Sequence, residues 1–368
     1  MSRLLVLGVA AVQDDLIVRA QRGGHHVIAC AGSADGPGAT RADVFIEQNF
    51  AEVDEIVALA EAHAVDAIYS VGSDRAMPVV GEASERLGLP VLASAASALV
   101  CNDKLLMRER LGPCTTGNVP FFRVSSSVEP APPLAFPFIV KPNDSQGQRG
   151  VALVHDEREY RDAVKNAIGH SRNGQAIAEK FLDGPEISVN GYLVDGELVF
   201  CAVSDRNTWE GHVGLVREHR LPSLNATEKA AGLARDLMEQ LAWAMDVTNG
   251  PLYAQMKVVD GEPFVLEVSP RLDGCHLWRL IECTRGVNLL DVAVDHLLNA
   301  HAPDPTRFEP ARLVAGTLEF LAQPPGRMNQ RFDDRDSDFE QYYYAQNDVV
   351  RPINGRMDKV GYRVRSDA

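Results

Sequence analysis

The sequence contains no apolar run approaching the roughly 20 residues that a bilayer-spanning helix needs. Its N-terminus, a short apolar run with one Arg, has no leader-type cleavage site. A soluble, unexported cytoplasmic protein is therefore expected. Cations are scarce: 36 Lys and Arg stand against 51 Asp and Glu, a formal net charge of -15. A general nucleic-acid or anionic-membrane surface needs the opposite balance, so neither partner is expected, and any anionic ligand must meet a local basic cluster. The six cysteines (Cys30, Cys101, Cys114, Cys201, Cys275 and Cys283) are scattered without CxxC spacing, which argues against a disulfide framework or a zinc knuckle. Internal repeats and low-complexity tracts are missing too. A dinucleotide fingerprint is absent: after the apolar run at 4–8 the chain continues Val9-Ala10-Ala11-Val12-Gln13 rather than GxGxxG.

What is present is a globular composition, 45% hydrophobic over 368 residues, enough for two or three packed units. Short β-branched runs at 4–7, 27–30, 44–46, 67–70 and 91–92 alternate with helical spacing at 13–22, 52–63 and 75–87, the rhythm of a parallel sheet with crossover helices. A helix is expected over 94–110, and a Pro-, Ser- and Thr-rich linker over 112–137. From 138 the pattern becomes strand, Gly-rich loop, strand, helix, strand. Longer alternating strands follow, paired through Asp195-Gly196 and Asp260-Gly261, where Gly accepts positive φ. A long helix at 227–245, another at 289–300 and a weak strand signal at 313–321 complete the reading. The units expected are 1–93, 94–183, 184–310 and 311–368.

Three stretches carry chemistry. The loop 143–151 (Asn143-Asp144-Ser145-Gln146-Gly147-Gln148-Arg149-Gly150-Val151) follows Lys141-Pro142 between two strands. Its glycines and Ser let successive backbone N–H groups close over phosphate oxygens, while Lys141 supplies a point charge. The alternative is a surface turn, and the loop lacks the GxxxxGK[ST] of a P-loop. Next, Glu179-Lys180-Phe181-Leu182 leads through Asp183-Gly184-Pro185 to Glu186, a hinge whose backbone can read an adenine edge and whose Glu186 can accept ribose hydroxyls. Last come Gln255 and the string Val265-Leu266-Glu267-Val268-Ser269-Pro270-Arg271. Alternation places Glu267, Ser269 and Arg271 on one face. A carboxylate in so apolar a strand calls for a cation, and oxygens of Gln255, Glu267 and Ser269 suit Mg²⁺. Arg271 would hold a phosphoryl group or carboxylate in bidentate fashion. A salt-bridged edge strand is the plainer reading.

Taken in order, these features resemble the ATP-grasp superfamily of the carboxylate-amine ligase type. The pattern 4–8, Ala42-Asp43, Asp66-Ala67-Ile68, Ser73-Asp74, Leu87-Gly88-Leu89-Pro90 and Asn102-Asp103-Lys104 is similar to carbamoyl-phosphate synthase large subunits and L-amino acid ligases. The resemblance implies an α/β chain, an N-terminal parallel-sheet, Rossmann-like pre-ATP-grasp domain followed by a two-lobed α+β ATP-grasp module. It implies that Lys104 and Lys141 contact ATP phosphates, that the stretch holding Ser145, Gly147 and Gly150 is a lid, and that Glu179, Lys180, Phe181 and Leu182 meet adenine and Glu186 ribose. Gln255, Glu267 and Ser269 fall at metal positions for Mg²⁺, with Mn²⁺ as an alternative, and Arg271 and Lys141 at catalytic ones. Ser269 departs from the family, which commonly has Asn there. The implied reaction activates a small carboxylate as an acyl phosphate and passes it to an amine, in a homodimer. A bicarbonate-activating carboxylase and a catalytically degenerate ATP-binding protein are the alternatives.

Substrate residues are less marked. Ser73, Asp74 and Arg75 sit at a loop end where a parallel sheet offers a cleft, or act as helix caps. His276 and Arg279 follow the metal string and are candidates for holding the acceptor; His212, Arg217 and His219 lie on a strand expected to face the same cleft.

Overall fold

In the computed structural model, residues 1–367 are described except 127–129, 146, 211, 300, 328–335 and 352–356, with only the backbone of 212–214 and 327. The first strand, β1 (Arg3–Leu7), is apolar on both faces, with Leu4, Leu5, Val6 and Leu7 fully buried. Only a strand covered by helices on two sides tolerates that. It lies inside a four-stranded parallel sheet ordered β3-β2-β1-β4, with β2 (His26–Ala31), β3 (Val44–Glu47) and β4 (Ala67–Tyr69). The helices α1 (Ala11–Arg22), α2 (Gly38–Arg41), α3 (Val53–Ala62) and α4 (Ala76–Leu87) connect and cover it. Leu5 and Leu7 pack under α3 and α4, whereas Leu4 and Val6 belong to a second core shared with elements from the far end of the chain, including Leu280, Phe320 and Tyr362.

The expected strand at 91–92 does not form, and the single helix expected over 94–110 is two, α5 (Ala95–Asn102) and α6 (Lys104–Leu111). Asp103 makes the break: its backbone is extended and its carboxylate accepts from the N–H groups of Leu105 and Leu106, capping α6. The expected linker at 112–137 contains a strand, β5 (Phe121–Val124). It joins β6 (Phe138–Pro142), β7 (Ala152–Val154) and β8 (Ala176–Lys180) in a small antiparallel sheet ordered β5-β8-β6-β7, with α7 (Glu157–His170) packed on it.

An eight-stranded antiparallel sheet forms the rest among the described residues, ordered β13-β12-β9-β10-β11-β14-β18-β16. Its strands are β9 (Glu186–Val194), β10 (Glu197–Trp209), β11 (His212–Leu221), β12 (Gly250–Val259), β13 (Glu262–Ser269), β14 (Gly316–Gln323), β16 (Phe339–Tyr342) and β18 (Asp358–Ser366). The minor strands β15 (Gly326–Arg327) and β17 (Val349–Val350) pair separately. α8 (Glu228–Ala244) covers one face, while α9 (Leu277–Arg285) and α10 (Leu289–Asn299) belong to the core shared with the parallel sheet. Only a weak strand signal in the sequence marks β14, and none marks β16 or β18. No helix of the described residues is long and apolar enough to cross a membrane.

Helix α4 passes α5 closely enough that a β-carbon on Gly81 would lie 2.4 Å from the backbone nitrogen of Ala95. In an open helix, Gly→Ala stabilises by about 1 kcal/mol. At this site Gly81→Ala is expected to destabilise instead, by roughly 1–3 kcal/mol, read as a lowered midpoint in chemical denaturation.

Candidate active site

Between the small sheet and the large one lies a cavity of about 270 Å³. Its walls carry Lys104, Lys141, Ser145, Gly147, Glu179, Lys180, Phe181, Leu182, Glu186, Gln255 and Glu267, residues that four distant stretches of sequence contributed. Lys104 is delivered by the Asp103 cap. Its backbone N–H donates to the Asn143 carbonyl at 2.8 Å, and its Nζ donates to the Ser145 carbonyl at 2.9 Å. Asn143 in turn donates its amide to Asp103 at 2.7 Å. The loop is thus tied to the start of α6. Gly150 is required there twice over: its φ is +73°, and a β-carbon would meet Pro142 at 2.9 Å.

Lys141 ends β6, buried, with its Nζ 2.7 Å from Glu179 Oε2. The other oxygen of Glu179 accepts from Nε of the fully buried Arg108 at 3.0 Å. Burial alone would raise the Glu179 pKa, but Arg108 and Lys141 overrule it and hold the carboxyl at about 2. The Glu179 carboxylate is therefore engaged by two cations at the cavity wall, and what the hinge offers a ligand is its backbone and the side chains of Lys180, Phe181 and Leu182.

On the opposite wall, Gln255 pairs with Glu267 across β12 and β13. Glu267 is 3.2 Å from Lys104 Nζ. Although burial opposes it, Lys104 and Lys141 hold its carboxyl below the ordinary carboxylate range. Glu186 accepts from Arg206 at 2.6 Å and from the Gln255 amide at 2.8 Å. Sequence reading missed two cations here. Arg206, on β10, and Lys257, which donates to the Leu182 carbonyl at 3.0 Å, both line the cavity. Lys257 stands two residues from Gln255, so strand alternation could have found it; Arg206 had no comparable signal. Strict alternation would send Leu266 to the face opposite Glu267. A register shift in β13, with Glu267 opposite Gln255 but Val265 opposite Met256, leaves Leu266 as an extra residue, and both Leu266 and Glu267 line the cavity.

Ser269 and Arg271 are placed differently from the expectation. The Ser269 hydroxyl donates to Asp74 Oδ1 at 2.6 Å, and the Arg271 guanidinium reaches the same oxygen through Nε at 2.7 Å and a terminal nitrogen at 2.5 Å. Neither lines the cavity that holds Glu267. Asp74 belongs to the loop after β4, so this clasp fastens the parallel sheet to the large one. Beside it, Gly72 (φ +66°) meets Gly274 so closely that a β-carbon would come within 2.9 Å of its Cα.

A larger cavity, about 1050 Å³, opens at the end of the parallel sheet, lined by the loop after β1, by Gly72, Ser73, Gly274 and His276, and by Tyr343 and Lys359. His276 is buried in an αL conformation (φ +58°). Its Nδ1 pairs with Asp15 at 2.7 Å and its Nε2 with the Tyr343 hydroxyl at 2.9 Å. Arg279 lines neither cavity: it stacks between Trp278 and Phe339 and pairs with Glu282 at 2.6 Å. Its side chain is used in packing.

The family model described as "ATP-grasp domain" matches residues 134–277, the stretch that runs from β6 through Glu267 to His276. Residues 134–277 are thus the part of the chain that resembles an ATP-grasp domain. The carbamoyl phosphate synthase large chain of Vibrio cholerae is 26% identical over 201 residues, 52% of this chain but 18% of that protein. The chain thus spans well under two thirds of the curated relatives it matches. Among solved structures, the L-amino acid ligase from Bacillus licheniformis superposes with a TM-score of 0.82 at 18% identity, covering 100% of this chain and 93% of that one. The biotin carboxylase domain of 2-oxoglutarate carboxylase from Hydrogenobacter thermophilus, solved with MgADP, ADP and bicarbonate, gives 0.81 at 12% identity, covering 99% and 86%. The likeness of fold to these structures extends over the whole chain.

Glu179→Gln leaves Arg108 and Lys141 buried with a neutral partner, and unfolding free energy is expected to fall by about 3–5 kcal/mol near neutral pH. Because the folded pKa lies below the unfolded one, the wild-type contribution is complete above about 4.5 and is lost as pH falls toward about 2. Urea melts of both proteins across that window check the sign: the gap must narrow on acidification.

Proposed function

We propose that the protein is an ATP-dependent carboxylate-amine ligase that forms an amide through an acyl phosphate, acting on amino acids or other small amines. The observation that carries the reading is the convergence of Lys104, Lys141 and Glu267 on one cavity beneath a hinge, with a second, larger cavity beside it.

In this reading the triphosphate tail of ATP lies against Lys104 and Lys141, covered by the loop of Ser145, Gly147 and Gly150. Adenine stacks among Phe181, Leu182 and Leu266 and reads hinge backbone, with Glu186 at the ribose. The donor set fits a magnesium ion: Glu267 offers a carboxylate at the cavity wall, and Gln255, whose amide nitrogen is committed to Glu186, offers its amide oxygen. Bound there, the ion would neutralise charge on the phosphates during transfer. The Ser269 hydroxyl is committed to Asp74, which favours a support role for it. Arg271 acts through the same carboxylate, holding the clasp against which the two cavities are set.

The substrate carboxylate attacks the γ-phosphorus of ATP, ADP leaves, and an amine then displaces phosphate from the acyl phosphate. His276, held by Asp15, and the loop with Ser73 give the larger cavity polar groups for the amine substrate. Closure of the glycine loop keeps water from the acyl phosphate. A cytoplasmic homodimer is the expected setting.

The test is ADP release across pairs of carboxylates and amines. Release only when both are present is expected; release with bicarbonate alone points to a carboxylase, and ATP binding without turnover to a degenerate site. Glu267→Gln should lower kcat by at least about a hundredfold while the thermal unfolding midpoint is retained; unchanged turnover removes Glu267 from the site.

A further inference from the structure

A buried cluster, two of whose members flank the cavity-lining Gly274, has no part in the scheme above. His219, on β11, is fully buried. Its Nδ1 lies 3.0 Å from the Asp205 carbonyl, and a carbonyl can only accept, so Nδ1 carries the proton and Nε2 a free lone pair. That Nε2 has no hydrogen-bond partner among the described residues. Leaving such an atom unsatisfied costs about 1–3 kcal/mol.

Two further donors lie close to its ring. The turn after β13 carries Asp273, buried, and Cys275, half-buried. The turn is fixed, since Asp273 accepts from the backbone N–H of Cys275 at 2.8 Å and of Leu277 at 3.0 Å. One imidazole nitrogen, one carboxylate oxygen and the Cys275 sulfur all lie within 4.8 Å of one another. In a tetrahedral zinc site such atoms stand roughly 3.3–3.6 Å apart, so a shift of about an ångström closes the set.

We propose that His219, Asp273 and Cys275 bind a zinc-class divalent cation, at a site separate from that of Glu267. Sulfur and imidazole donors select such an ion over magnesium, which takes oxygen. The Asp205 carbonyl supplies the outer contact that orients a ligating histidine. Three protein ligands leave one position open, as in catalytic rather than structural zinc sites. Gly274, between the two turn ligands, lines the larger cavity, whereas His219, Asp273 and Cys275 do not. Thiolate and carboxylate cancel the ion's two charges, the thiol proton going to solvent on binding. Arg206 and Lys359 flank the cluster and oppose a bare dication, so an affinity below that of an all-cysteine site is expected.

The experiment is a cobalt titration of the chelator-stripped full-length protein. One equivalent of Co²⁺ should produce thiolate-to-cobalt charge-transfer absorption in the near ultraviolet with tetrahedral bands in the visible, and one equivalent of Zn²⁺ should abolish both. Cys275→Ser should lose the charge-transfer band, and His219→Gln should weaken binding at least tenfold, whereas Cys114→Ser, at an exposed thiol, should change nothing. No band in the wild type, or a band that survives in Cys275→Ser, overturns the proposal. Because the readout is spectroscopic and needs no ATP, it is independent of whether the ligase reading holds.

Discussion

One carboxylate oxygen sets the arrangement of the two cavities. Asp74 Oδ1 receives the Ser269 hydroxyl and two nitrogens of Arg271, all charge-assisted contacts and so stronger than neutral hydrogen bonds. The loop after β4 is thereby held against the end of β13. With that junction fixed, Gly72 and Ser73 face the larger cavity while Glu267, two residues before Ser269, faces the smaller one. The core that follows the junction, from Leu4 and Val6 to Leu280 and Tyr362, is apolar and non-directional. It supplies adhesion, and the clasp supplies register.

An acidic chain meets an anionic ligand by concentrating its cations. Lys104, Lys141, Arg206 and Lys257 converge on the smaller cavity, and three of them are paired with acids, Glu267, Glu179 and Glu186. The pairs keep the cations compensated in the ligand-free protein, where lone buried charges would be costly. They also differ in depth. Glu179 is buried between Lys141 and Arg108, whereas Glu267 is half-exposed at the wall, so of these two the latter is the more available to trade its lysine for another cation.

Much of this was legible in the sequence because it rests on local signals. The parallel sheet showed in runs of apolar residues, the hairpins in Asp-Gly pairs, and the loop after Lys141 in its glycines; Asp195 and Asp260 do adopt positive φ beside their glycines. Gln255 and Glu267 were both marked, and the structure sets them opposite one another. What stayed hidden depends on partners far away in sequence. Arg206 in an alternating strand reads as a solvated face until the small sheet closes over it. Asp103 reads as one more helical residue until Asn143 comes to meet it. Lys359 and Tyr362 lie on a strand whose pattern carried no signal, since β18 is defined by β14 and β16 on its flanks. Arg279 was marked for its charge, whereas its packing between two rings is a matter of tertiary context.

The register shift in β13 has a further implication. Since Glu267 is opposite Gln255, and Val265 opposite Met256, Leu266 is a supernumerary residue that can be excised without turning its neighbours over. Shortening the strand by that single position would restore a regular ladder and strip one apolar side chain from the pocket, while the carboxylate next to it kept its facing. Pocket shape and charge placement are thus encoded by separable increments of the same strand, and chain length at one point becomes a means of altering the first without disturbing the second.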